Sequence, residues 1–88
     1  MIGEFTAVVT EIHEQSRVER RQMWHLALDR TEFSEGDDGM LEAVARSGAR
    51  LLVPVLGVEV DRAGEVWHLV EKPLTVGTEV TGRVRPRV

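Results

Sequence analysis

Arg50-Leu-Leu-Val-Pro-Val-Leu-Gly-Val-Glu-Val60 is the most apolar run of the chain, and its reading decides how the rest is arranged. At a period of two, Leu52, Pro54, Leu56, Val58 and Val60 share one face, and Leu51, Val53, Val55, Gly57 and Glu59 share the other. The second half is apolar on one face only, which is the pattern of a half-buried strand. The first half is apolar on both, so something must cover both sides. Pro54 has no N–H to give a ladder and suits an edge, a bulge or a strand start. Gly57 allows a bend. The expectation is a bent strand with Leu52, Leu56, Val58 and Val60 in the core. Leu51, Val53 and Val55 are then left over for a protein partner.

The 88 residues make one domain with a single modest core, and Pro86 to Val88 read as a frayed basic end. Hydrophobic residues at 42% and charged residues at 30% mark an ordinary globular chain, not a disordered one. With no cysteine there are no disulfides, thiolate metal sites or cysteine nucleophiles. No apolar run reaches the roughly 18 residues that span a bilayer, and Met1-Ile-Gly-Glu-Phe5 lacks the form of a signal peptide. The default expectation is a cytoplasmic protein without a membrane partner. Ten of the eleven basic residues are arginine and only Lys72 is lysine, a bias that GC-rich bacterial genomes produce.

Glu4 to Ile12 is rich in β-branched residues and predicts a first strand; polar His13 to Arg21 then reads as a long exposed hairpin connection, into which the strands could extend. From Gln22 to Arg30, Trp24, Leu26 and Leu28 alternate with Met23, His25 and Ala27, giving a second strand with the first set inward. Acidic Glu35, Asp37 and Asp38, then Met40, Leu41, Val44 and Ala45 at helical spacing, then Gly48, predict one short helix. Asp61-Arg-Ala-Gly64 is a tight-turn sequence before a strand over Glu65–Glu71, and Glu79 to Arg85 alternates cleanly as the last strand. The fold class expected is therefore mainly β. The order β-β-α-β-β-β predicts a five-stranded barrel or strongly curved antiparallel sheet with one helix, similar to OB-type barrels by analogy only.

Trp24-His25-Leu26 and Trp67-His68-Leu69 are the same tripeptide in two strands. Neighbouring strands would point both tryptophans inward and both histidines outward. Core filling by the tryptophans is the plain reading. A metal or acid–base role for His25 and His68, with His13, Glu11 or Glu71 in support, is the alternative. The acidic group Glu32, Glu35, Asp37, Asp38 and Glu42 lacks the alternating spacing of a calcium loop. Arg17, Arg20, Arg21, Arg83 and Arg85 would suit single-stranded nucleic acid if they formed one patch, although a net charge of −4 opposes it. No nucleophile elbow, phosphate loop or dinucleotide fingerprint is present, and no cofactor is implied. The leading expectation is a non-catalytic protein-interaction or assembly module, acting as a homo-oligomer or as a subunit of a larger complex.

Overall fold

The computed structural model describes residues 3–18, 21–45 and 47–86. These form β1 (Glu4–Val18), β2 (Arg21–Leu28), β3 (Gly39–Val44), β4 (Arg50–Val55), β5 (Gly57–Val60), β6 (Val66–Val70) and β7 (Glu79–Val84). All pairings are antiparallel, in one sheet of order β4-β3-β7-β1-β2-β6-β5. The protein is mainly β, as the alternation along its chain predicts, but the described residues form seven strands rather than five. The sheet is not closed into a barrel, and no helix occurs among the described residues.

The opening run supplies the bend. β4 and β5 are the two edges of the sheet, yet only Leu56 separates them in the chain. The sheet must therefore curl until its edges meet at that residue. The Leu56 N–H leaves β4 to bond the Leu69 carbonyl on β6, 2.8 Å away. The opposite corner lies in β1, which pairs with β7 over Glu4–Val8 and with β2 from Val9 onward. A register shift between Val9 and Glu11 marks that corner, as expected of a bulge that bends a strand.

Curling brings the inner faces of the two halves together. Phe5, Ala7, Leu41 and Val53 on one side pack in a single core with Leu26, Val58 and Val70 on the other. Gly82 is part of this fit, because a Cβ there would stand 2.5 Å from Cζ of Phe5. Left-handed glycines close the β3–β4 and β5–β6 connections. Gly64 N–H bonds the Asp61 carbonyl and Gly48 N–H the Ala45 carbonyl, at 3.0 and 2.8 Å. At Asp61–Gly64 this is the glycine-closed hairpin turn that its sequence predicts.

Two expectations are corrected here. The extra residue at Leu56 shifts the alternation by one, so Val53, Val55 and Val58 all point inward while Leu52 and Leu56 are 50% and 44% exposed. A one-residue slip exchanges the two faces of a strand. Val53 and Val55 are core, and of the three residues assigned to a partner only Leu51 is exposed. The predicted helix is instead β3. Its residues pair with β4 on one side and β7 on the other, and this double ladder outweighs a helical spacing about ten residues long. The acids ahead of it serve a turn: Asp37 Oδ2 accepts the Ser34 N–H at 2.8 Å, and Gly36 takes the left-handed position.

Candidate functional site

The outward face of β1, β2, β6 and β5 concentrates the aromatic and titratable side chains. Register fixes its rows. His13, His25, Leu69 and Gly57 stand side by side across the four strands. The next row is Glu11, Ala27, Trp67 and Glu59, with Ala27 and Trp67 on neighbouring strands.

Trp67 is the centre of this face. Its indole N–H donates to Asp61 Oδ2 at 2.9 Å. Asp61 Oδ1 accepts the N–H groups of Ala63 and Glu65, so one carboxylate shapes the β5–β6 turn and aims the indole. The bonds from Trp67 and then from Glu65 hold the Asp61 carboxyl below the usual carboxylate range. The His13 ring meets Trp67 edge-to-face, with centroids 5.2 Å apart. Their strands are separated by β2, a span of roughly 10 Å, so both rings lean over β2. Ala27 lies beneath that crossing and is fully buried despite its outward position. A larger side chain there would keep the rings apart.

His25 lies 6.2 Å from Trp67, ring to ring. Its Nδ1 accepts from the Gln15 amide at 2.9 Å, which turns Nε2 toward Glu59, 3.6 Å away. His13 Nε2 bonds Glu11 at 2.9 Å. No lysine or arginine among the described residues comes within ion-pairing distance of Glu11, Glu59 or Asp61. Further along this face Arg21 pairs with Glu71 at 3.8 Å. The tightest arginine–carboxylate bridges lie on the other half of the sheet, where Arg83 bonds Glu4 and Glu42 at 2.9 Å and Arg50 approaches Glu42 at 3.4 Å. Hydrogen bonds to Glu42 and then Glu4 raise the Arg83 guanidinium further above its ordinary value.

No protein-family model, curated protein or solved structure matches the chain. Its site must be read from its own geometry.

The repeated tripeptides are neighbours, but out of phase. His25 opposes Leu69 and Leu26 opposes His68, so His25 faces outward and His68 inward. Trp24 packs against the core while Trp67 stands outside, contrary to the inward pairing the sequence suggests. The sheet therefore separates His25 from His68, and they cannot hold one metal ion. Among the described residues no group of three potential metal ligands comes together.

His68 is fully buried and fully engaged. Its Nδ1–H donates to the Leu26 carbonyl at 2.9 Å, and Nε2 accepts from the Thr31 hydroxyl at 2.8 Å. Thr31 Oγ1 in turn accepts the Phe33 N–H at 3.0 Å, and the Phe33 ring meets His68 edge-on at 5.2 Å. Burial pushes the His68 pKa down, with the Leu26 bond opposing in part. The ring is a neutral structural link between β2, β6 and the Thr31–Phe33 segment.

The arginines also divide. Arg83 opposes Glu4 at the start of β1, whereas Arg21 opposes Val18 at its end. Arg83 and Arg21 therefore sit at opposite ends of a 15-residue strand. Arg85 lies 3.6 Å from Asp38. The Arg17 side chain, Arg20 and the terminal Arg87 and Val88 fall outside the described residues. Among the described residues no helix is long and apolar enough to cross a membrane.

The sequence pattern underplays Trp67, because Val66-Trp-His-Leu-Val70 is apolar on both faces. The available signal is Asp61, six residues back, at the distance where a turn carboxylate reaches an outward indole.

Proposed function

We propose that this protein is a non-catalytic protein-interaction module that presents the face around Trp67 to a partner. One observation carries the reading. A tryptophan is held outside the core by a dedicated hydrogen bond, flanked by two histidines, beside Glu11, Glu59 and Asp61, which have no arginine or lysine partner among the described residues. Tryptophan is among the residues most often found as an interface anchor. An indole locked by Asp61 has little side-chain freedom left to lose on binding. Leu51, Leu52 and Leu56 are exposed at the β4 edge, outside that face. Pro54 and the Lys72 ammonium, 3.5 Å from the Leu52 carbonyl, discourage strand addition there.

The test compares particle mass in native extract and in pure form. In extract the chain elutes in a complex larger than its monomer, and Trp67→Ala releases it while Leu52→Ala does not. Light scattering on the purified chain shows whether a second copy is that partner. Monomer elution of the unaltered chain under both conditions would overturn the reading.

A further inference from the structure

We infer that the Trp67 face takes a cationic side chain, specifically an arginine carried on an extended segment of the partner. This rests on the interaction-module reading above and names the chemistry of its partner.

The argument is one of complementarity. Glu11, Glu59 and Asp61 surround an outward indole, and no arginine or lysine among the described residues neutralises them. Glu11 and Glu59 are more than half exposed and hold only imidazole contacts. A guanidinium stacks favourably on an indole face and bonds carboxylates through a planar fork. Both features stand within one row. Glu59 neighbours Trp67 directly across β5 and β6, and Glu11 lies two strands to the other side. The row from Glu11 to Glu59 crosses four strands, about 14 Å at the spacing of strands in a sheet. An extended segment repeats its side chains on one face every roughly 6.6 Å, so cations at positions i and i+4 match the two carboxylates. A third, at i+2, falls near the indole.

The ligand this predicts is an extended segment with arginine at alternate positions. A polyanion is repelled by the same row. A second copy of this chain would need to offer such a segment from its own surface, where Arg83 and Arg50 are already bound to carboxylates.

The probe is a blocked pentapeptide, Arg-Gly-Arg-Gly-Arg, titrated against the full chain at low and high salt while tryptophan emission is followed. The inference expects saturable binding that weakens as salt rises. Glu59→Gln and Glu11→Gln are each expected to weaken it about two- to five-fold, the range of an exposed charge pair. Trp67→Leu removes the stacking and most of the remaining affinity, while the surface control Leu52→Ala binds as the unaltered chain does. Thermal unfolding of each variant establishes that it is folded. Two results overturn the inference: no binding at low salt, or equal binding of a blocked Glu-Gly-Glu-Gly-Glu peptide. If the peptide fails while Trp67→Ala still releases the chain from its complex, only the arginine assignment is lost. If Trp67→Ala also has no effect, the interaction reading falls with it.

Discussion

Lowering the pH from 7.5 to 5 destabilises this protein through His68. The ring is buried as the neutral tautomer, with Nδ1–H on the Leu26 carbonyl and Nε2 accepting from Thr31. A proton on Nε2 would face the Thr31 hydroxyl, already accepting from Phe33, and no carboxylate among the described residues bonds the ring. The folded-state pKa is lowered, so the unfolded chain takes up the proton first, from its ordinary value of about 6.5 downward. The stability is therefore present above about pH 6.5 and is lost as the pH falls toward the folded-state value. One proton corresponds to at most about 1.4 kcal/mol per pH unit, so the loss reaches up to about 2 kcal/mol at pH 5. Urea unfolding at several pH values, in the unaltered chain and in His68→Gln, isolates this contribution. Glutamine does not titrate, so its slope between pH 6.5 and 5 is the smaller. Equal slopes in the two proteins would refute the reasoning.

Two further predictions concern the curled sheet. Val53→Ala removes two methylene equivalents from a fully buried site and is expected to cost about 2 to 3 kcal/mol, whereas Leu52→Ala at a half-exposed site costs under about 1 kcal/mol. Denaturant midpoints decide this, and the reverse ranking would restore the unshifted alternation. At Gly39 an added Cβ falls 2.1 Å from the Arg83 carbonyl oxygen, so Gly39→Ala must push β3 from β7 and should cost about 1 to 3 kcal/mol by thermal melt. A melt matching the unaltered chain would contradict that register.

How much of this was legible in the sequence depends on the kind of signal. The β character and the Asp61–Gly64 turn were open to view, because alternation and turn chemistry are local. The inward direction of Val58 was also readable. The faces of Leu52 and Val53 were not, because one residue at Leu56 changes the phase and a run apolar on both sides does not reveal where the slip falls. The segment Met40–Val44 carries both a helical spacing and the alternation of Leu41 with Ala43; its partners β4 and β7 decided between them. The burial of His68 hinges on Thr31, 37 residues away, which no local pattern connects to it. The polar run from His13 fits both a connection and an extended strand; the strand holds, because β1 and β2 run on together past the core. That extension is what places His13 beside His25 and within reach of Trp67.

The most direct measurement of the central claim is a backbone and indole N–H NMR titration of the full chain with the arginine pentapeptide. The account predicts the largest shifts at the Trp67 indole and at the backbone of Glu11, His13, Ala27 and Glu59, with Leu41, Val53 and Val80 unmoved. Shifts centred on β3 and β4, or no shift at the Trp67 indole at saturation, would contradict it.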